Sequence, residues 1–246
     1  MNIFSLSNYT STACHIYDEN KKTSPVIEKN DFYFLYNIMN LLFFESPLIA
    51  WVLASVMIAS LLKGNRTMLY ISGLILCMLL FFYRKTSVDV DSTDNIVVSP
   101  ASGRVTNVRY INGRCFISVF LSVFDEHHQV YPVSGEIIYQ HYDKTGKFDL
   151  VVKQEKSRKN EKVEQKIKMA NGTVVTVRQI AGFLPRCIVY KGKVNDVVRA
   201  GQYLGMIKFG SRVDLEIPMS KTDMKRLSIK QGQYINLGDV VFEFTL

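Results

Sequence analysis

The sequence predicts a mainly β protein, a barrel-sandwich-like β domain preceded by an apolar helical hairpin. Short runs rich in β-branched and aromatic residues fill the chain from residue 96 onward, separated by turns containing Gly and Asn. No long helical periodicity follows residue 85, whereas long apolar runs precede it. The 246 residues therefore divide into a polar tail at 1–30, a helical membrane anchor at 31–85 and a β-rich domain at 86–246.

The polar tail has no apolar stretch of the kind that marks a cleavable signal peptide, and we expect it to be poorly ordered. Behind it, the aromatic-rich segment Phe32–Phe44 is suited to an interfacial helix. Two uncharged runs follow, Leu48–Leu62 and Met68–Tyr83. Each is shorter than the ~20 residues of a bilayer-crossing helix. They indicate a tilted or re-entrant hairpin, two helices in a locally thinned membrane, or a buried soluble hairpin.

Basic residues stand before and after the hairpin, which places both of its ends, and the β domain, on the cytoplasmic side. The net charge is +8, and the densest basic stretch runs from Lys153 to Lys168. A basic surface beside an apolar anchor suits anionic membrane lipids. A solvated basic face explains the charge equally well, and no nucleic-acid recognition motif accompanies it. Four widely spaced cysteines predict neither a disulfide framework nor a zinc or other metal site.

Ten strands are predicted in the β domain, at Ile96–Val98, Arg104–Ile111, Cys115–Leu121, Gly135–Tyr139, Phe148–Val152, Thr173–Gln179, Cys187–Lys191, Tyr203–Lys208, Arg212–Ile217 and Val240–Phe244. The turns Ile111–Arg114 and Ala170–Thr173 both contain Asn-Gly, which is typical of hairpins. Two stretches, Lys193–Gln202 and Lys230–Asp239, resemble each other and the turns of lipoyl and biotinyl carrier domains. They support β architecture without selecting a function.

The segment Gly205–Asp214 carries the most informative chemistry. Gly210 before Ser211, in a loop between strands, suits an attack of the serine hydroxyl on the preceding carbonyl, because glycine has no side chain to obstruct it. Elimination from the resulting ester, followed by hydrolysis, leaves a pyruvoyl group at position 211. An isolated Gly-Ser pair is common in turns, so the surrounding residues decide its meaning.

Three groups of residues, in the same order, make the chain resemble the short bacterial and archaeal phosphatidylserine decarboxylases. They are Phe81–Arg84 with Val97–Gly103; Ser118–Ser122 with Asp125–His128 and Pro132–Gly135; and Gln179–Gly182 with Gly201-Gln202 and Gly205–Asp214. The match extends over roughly residues 48–218.

The resemblance implies self-cleavage between Gly210 and Ser211 into a β chain (1–210) and an α chain that begins with a pyruvoyl cofactor derived from Ser211. The substrate is then phosphatidylserine and the product phosphatidylethanolamine. His127 corresponds to the family histidine at the decarboxylation site, and imidazole titrates near neutrality as a general acid should. Lys208 and Arg212 flank the cleavage point as candidate contacts to a phosphate or carboxylate. The resemblance also implies a homodimer, although the sequence has no interface signal.

Ser102 departs from the family pattern, which has Asp at this position of the Ser-Pro-Ala-Asp-Gly motif. In the family this carboxylate takes part in self-cleavage, and a serine hydroxyl cannot carry its charge. An uncleaved, non-catalytic homologue that acts as a lipid-binding scaffold therefore stays open as the alternative. A biotinyl-type carrier with a modified Lys208 is a third hypothesis, but it leaves the His127 motif without a role.

Overall fold

The structure is a computed structural model that describes residues 47–84, 88, 90, 95–144, 160–182, 188–207 and 211–244. It divides between Lys85 and Thr86 into two compact units. The predicted tail at 1–30 and the segment Phe32–Phe44 lie outside the described residues. The functional roles assigned to the predicted domains stay predictions.

The N-terminal unit contains two helices, α1 (Pro47–Leu62) and α2 (Arg66–Phe82). Gly64 adopts a positive φ of 63° in the turn between them. The side chain of Asn65 then caps α2 by accepting a hydrogen bond from the backbone N–H of Met68 at 3.1 Å. The two apolar runs are thus separated by a turn and a helix cap, as their interruption by Lys63–Arg66 indicates.

The helical hairpin is largely apolar on its outside. Trp51, Leu62 and Tyr70 are 65%, 83% and 72% exposed, whereas Leu53 and Ser72 are buried. An apolar groove of about 400 Å³ runs between the two helices. Within the described residues, no helix has both the length and the hydropathy needed to cross a membrane.

The C-terminal unit consists of thirteen strands and a short 3₁₀ helix, Asp223–Arg226. The strands are β1 (Ile96–Val98), β2 (Gly103–Ile111), β3 (Arg114–Leu121), β4 (His128–Val130), β5 (Gly135–Asp143), β6 (Lys162–Lys168), β7 (Val174–Ile180), β8 (Ile188–Tyr190), β9 (Val197–Val198), β10 (Tyr203–Ile207), β11 (Ser211–Pro218), β12 (Tyr234–Ile235) and β13 (Val240–Glu243). All pairings are antiparallel.

These strands form three sheets. The largest has the order β12-β2-β3-β11-β7-β6-β5-β9, the second the order β4-β10-β8, and β1 pairs with β13. The mainly β prediction is confirmed. A closed barrel is not found among the described residues, because the largest sheet ends in two separate edge strands, β12 and β9. The predicted strand Phe148–Val152 lies outside the described residues, and four short or basic strands (β4, β6, β9 and β12) were not predicted.

The two similar stretches of the sequence form the two edges of the largest sheet. β9 precedes a turn at Gly201, and β12 precedes a turn at Gly238, with φ values of 81° and 83°. A Cβ at Gly201 would lie 2.8 Å from Val90, and one at Gly238 would lie 2.2 Å from Val88. Glycine is therefore needed at both turns for its conformation and for close packing.

The core lies on one face of the largest sheet. In β11, Val213, Leu215 and Ile217 are fully buried in it and alternate with polar residues on the other face. Residues of the three-stranded sheet belong to the same core, including Ile188, Leu204 and Ile207. The inner face of β11, which begins with Ser211, is therefore enclosed by a second layer.

Candidate active site

One row of residues crosses the end of the largest sheet, and we call it the site row: Gly103, Leu121, Ser211, Ala181 and Glu161. Ser211 pairs with Leu121, and the Ala181 N–H donates to the Glu161 carbonyl at 3.0 Å. The pairings of β2 with β3 and of β7 with β11, continued by one residue, place Gly103 beside Leu121 and Ala181 beside Ser211. Partners in a row share a face, and all the side chains of the row are buried. Ser211 is therefore at the centre of a buried row on the core face.

Ser211 is the first residue of β11 and is completely buried. Its hydroxyl has no hydrogen-bond partner among the described residues. A buried hydroxyl without a partner is costly, so it marks a place where chemistry or a ligand is expected. Two other predicted site residues, Gly210 and Lys208, lie in the 208–210 segment outside the described residues.

His127 is buried in the loop between β3 and β4. Its Nδ1 lies 2.7 Å from the carbonyl oxygen of Asp125, which can only accept a hydrogen bond. Nδ1 therefore carries the proton in the neutral ring, and Nε2 is the basic nitrogen. The Asp125 carboxylate orders this loop, because it accepts hydrogen bonds from the Ser122 N–H at 2.7 Å and from the Tyr234 hydroxyl at 2.9 Å.

Two buried glutamines connect His127 to the strand beside Ser211. Gln129 Nε2 donates to the His127 carbonyl at 2.5 Å, and Gln179 Nε2 donates to Gln129 Oε1 at 2.8 Å. The Ile207 N–H also points to the His127 carbonyl at 3.4 Å. We call the two glutamines and this carbonyl the glutamine relay. It fixes the histidine loop to β7. In the sequence, the only sign of it is a pair of polar residues at core positions.

Ser102 precedes Gly103 of the site row and is buried. Its Oγ accepts a hydrogen bond from the Leu237 N–H at 2.8 Å. Gly103 and Ser211 flank Leu121, so Ser102 lies about two strand spacings, ~10 Å, from Ser211 along the sheet. A side chain at Gly103 is excluded, because its Cβ would lie 2.3 Å from the Phe120 carbonyl oxygen. The structure therefore brings the altered family position to the end of the sheet that carries Ser211.

Arg212 and His128 each lie close to a carboxylate. Arg212 follows Ser211 and lies on the opposite face of β11, where its Nε is 2.8 Å from Asp214. The prediction that Arg212 contacts substrate stays a prediction. His128 Nδ1 is 3.2 Å from the Glu126 carboxylate, and both side chains are buried. This pairing accords with a structural role for His128.

Glu161 is a buried carboxyl that the sequence did not single out. It accepts a hydrogen bond from the Tyr142 hydroxyl. Burial raises the pKa of Glu161 despite this hydrogen bond and the nearby Lys144. The neighbouring Asn160 donates from Nδ2 to the Ala181 carbonyl at 2.9 Å. A charged residue at an inward position of an alternating strand is the signal that could have indicated Glu161.

Comparison with known proteins identifies the family. A model of the phosphatidylserine decarboxylase family matches residues 78–243. A protein of Amoebophilus asiaticus is 35% identical over 64% of this chain and 73% of its own length. One of Cytophaga hutchinsonii is 38% identical over 65% and 75%, and one of Saccharopolyspora erythraea is 34% identical over 70% and 75%.

Each of these relatives is a phosphatidylserine decarboxylase proenzyme by name. The matched region includes the whole site row, His127, His128 and the glutamine relay. The chain therefore belongs to the phosphatidylserine decarboxylase family.

Proposed function

We propose that this protein converts phosphatidylserine to phosphatidylethanolamine at a membrane, after cutting itself between Gly210 and Ser211. The observation that carries the proposal is the Ser211 hydroxyl, which is buried at the start of a strand without a partner among the described residues. It occupies the position that the family motif assigns to the residue that becomes the pyruvoyl group.

The self-cleavage needs only the chain's own groups and one water molecule. The Ser211 hydroxyl loses its proton and its Oγ attacks the Gly210 carbonyl carbon, so the peptide bond breaks and an ester forms. Loss of the Ser211 α-proton then expels the Gly210 carboxylate from Cβ. Tautomerisation to the imine and addition of water release ammonia and leave the pyruvoyl group. Strand β11 begins at the cut, so its ladder with β3 and β7 retains the new α chain.

The inner face around position 211 fits such a group, since Ala181 of the site row presents only a methyl group beside it. A pyruvoyl carbonyl supplies an electron-withdrawing centre that condenses with the headgroup amine and stabilises the electron pair left by departing carbon dioxide. His127 supplies the proton that replaces carbon dioxide. The Asp125 carbonyl fixes Nδ1 as a donor, so Nε2 is the nitrogen that takes up and delivers this proton.

The helical hairpin supplies the membrane contact in this proposal, on the cytoplasmic side. Its exposed Trp51, Leu62 and Tyr70 suit the boundary between headgroups and acyl chains. On the β domain, Lys162 lies 3.7 Å from Asp143, and Lys166 lies 3.7 Å from Glu164. These lysines are therefore partly neutralised, which leaves the hairpin as the stronger basis for lipid contact.

Intact-mass measurement of the purified full chain tests the proposal. We expect two fragments, residues 1–210 and 211–246, with the smaller one blocked at its N-terminus, together with release of carbon dioxide from phosphatidylserine in mixed micelles. The Ser211→Ala variant serves as the control and should stay uncut. A wild-type chain that is intact and inert toward phosphatidylserine contradicts the proposal.

A second candidate function is favoured by Ser102. Its hydroxyl is already used to accept the Leu237 N–H, and no carboxylate stands at this position. An uncut chain that retains the fold and binds anionic vesicles in a salt-dependent way is then a lipid-binding scaffold. The same mass measurement distinguishes the two functions.

A further inference from the structure

The glutamine relay has a fixed direction. It begins at the His127 carbonyl oxygen, which can only accept, so the Gln129 atom facing it must be the amide nitrogen. The other amide atom of Gln129 is then its oxygen, and this oxygen requires a donor. Gln179 meets it with its own nitrogen at 2.8 Å. The Gln179 oxygen is consequently left as an acceptor. The hydrogen bonds of the relay thus assign the nitrogen and oxygen of this amide, which its shape alone does not distinguish.

This acceptor is buried, and within the described residues it has no hydrogen-bond donor. A buried amide oxygen without a donor costs free energy. Gln165 is a buried glutamine on the same face of the neighbouring strand, and its amide oxygen also has no donor among the described residues. Gln165 pairs with Val177, which lies two residues further than Gln179 from the end of β7 beside Ser211. Of these two oxygens, the one of Gln179 therefore lies nearer to position 211.

The acceptor lies next to the residue that is proposed to react. Gln179 pairs with Val213, two residues after Ser211 on the same face of β11. Gln179 and Ser211 are therefore diagonal neighbours, about 7–8 Å apart at Cα, which is within reach of a long side chain. Ala181, directly opposite Ser211 in the site row, presents only a methyl group there. The Gln179 side chain is therefore within reach of a headgroup that reacts at position 211.

We propose that Gln179 Oε1 accepts a hydrogen bond from the amine of the phospholipid headgroup and selects lipids that carry an amine. In a serine headgroup the carboxylate and the phosphate are acceptors, and the ammonium group alone can donate at neutral pH. The ammonium group, which has to approach position 211, therefore supplies the donor that the protein does not provide to the Gln179 oxygen. This inference rests on the proposed function, since it concerns the same substrate.

Three variants test it. Gln179→Met removes the acceptor and the hydrogen bond to Gln129, whereas Gln179→Glu removes that hydrogen bond but keeps acceptor oxygens. Gln165→Met is the matched control for losing a buried glutamine on the same face. Cleavage is first quantified on a gel, and kcat and KM for phosphatidylserine are then measured in mixed micelles.

We expect Gln179→Met to raise KM about 10- to 100-fold, the range for one hydrogen bond to a charged group. KM should remain within about threefold of the wild-type value in Gln179→Glu and in Gln165→Met. If Gln179→Met does not accumulate as cut protein, Gln179→Asn tests the same point, because it withdraws the amide by one methylene and should raise KM by at least tenfold.

Two results overturn the inference while the proposed function stands. One is an unchanged KM in Gln179→Met, which means that water or nothing occupies the acceptor. The other is an equal rise in Gln179→Met and Gln179→Glu, which assigns the effect to the bond with Gln129. A wild-type chain that is uncut and inactive overturns the proposed function, and this inference with it.

Discussion

The Tyr142 hydroxyl donates a hydrogen bond to the Glu161 carboxyl on the inner face of the largest sheet. Glu161 belongs to the row that contains Ser211, and burial raises its pKa above the ordinary value of 4.5. In the folded protein this carboxyl therefore keeps its proton to a higher pH than in the unfolded chain. Folding and protonation of Glu161 are consequently linked.

We predict that replacing Glu161 by Gln flattens the pH dependence of stability. The raised pKa contributes stability that is complete below about pH 4.5 and is lost as the pH rises through the folded-state value. Each tenfold change in the proton dissociation constant corresponds to about 1.4 kcal/mol. Urea unfolding of both proteins between pH 4 and 8 measures the difference. The Tyr142 hydrogen bond lowers the pKa of Glu161, so Tyr142→Phe should make the loss of stability with rising pH larger. If the wild type and Glu161→Gln lose stability in parallel as the pH rises, Glu161 is not the source of the pH dependence.

Glu216 anchors an ion-pair ladder on the outer face of the same sheet. Its two carboxylate oxygens lie 2.5 Å from Arg114 and 2.6 Å from Arg178, and Arg178 also contacts Glu164 at 2.5 Å. Burial opposes ionisation, but the hydrogen bonds from Arg178 and Arg114 lower the pKa of Glu216. The stability that the ionised Glu216 provides is therefore present at neutral pH, and it is lost as the pH falls through the lowered pKa of Glu216.

We expect Glu216→Gln to reduce the free energy of unfolding by about 1–3 kcal/mol at pH 7, mostly through Arg178, because Arg114 is half exposed and screened by solvent. Denaturant unfolding provides the measurement. Glu136→Gln is the control, since Glu136 is an exposed carboxylate on β5 and should change stability by less than about 0.5 kcal/mol. Equal effects of the two substitutions show that the ladder does not stabilise the fold.

Local signals in the sequence predicted the parts of the fold that are local. The turn at Asn112-Gly113 joins β2 to β3, with φ values of 49° and 77°. The turn containing Gly172 likewise joins β6 to β7, where the Met169 N–H donates to the Thr173 carbonyl at 2.9 Å. In both cases the Asn-Gly pair supplies the positive φ that a tight turn requires, and no distant residue is needed to specify it.

Contacts between distant residues could not be predicted in this way. β4 has three residues, and it is a strand because His128 and its neighbours pair with β10 about 75 residues later. The hydrogen bond between Gln129 and Gln179 spans 50 residues. The lysines of β6 suggested a solvated basic stretch, but alternation places Val163 and Ile167 in the core between them. Pairing with β5 and β7 overrides the low strand propensity of the charged residues.

His127 is expected to be needed for decarboxylation and not for self-cleavage. We predict that His127→Gln is cut like the wild type and has a kcat at least 100-fold lower, because no group then delivers the proton near neutral pH. Release of carbon dioxide by the cut protein measures kcat. His141→Gln is the control, because His141 is an exposed histidine on β5 and its substitution should leave wild-type activity. A cut His127→Gln protein with undiminished kcat excludes His127 as the proton donor.

The last prediction concerns Ser102, which stands where the family has Asp. Ser102 and Ser211 lie at the same end of the largest sheet, separated by about two strands. Restoring the carboxylate places a negative charge there that can stabilise a protonated partner while the Ser211 hydroxyl is activated. The Leu237 N–H, which Ser102 now accepts at 2.8 Å, is available to orient it.

We therefore expect Ser102→Asp to increase the rate of self-cleavage at least tenfold, followed as the appearance of the 211–246 fragment after synthesis. Ser102→Asn is the matched control, because it has nearly the same size and can accept the same hydrogen bond but carries no charge. If both variants accelerate cleavage equally, the carboxylate charge is not the missing element. If neither does so while the wild type cuts itself readily, the hydroxyl at position 102 already suffices for maturation in this chain.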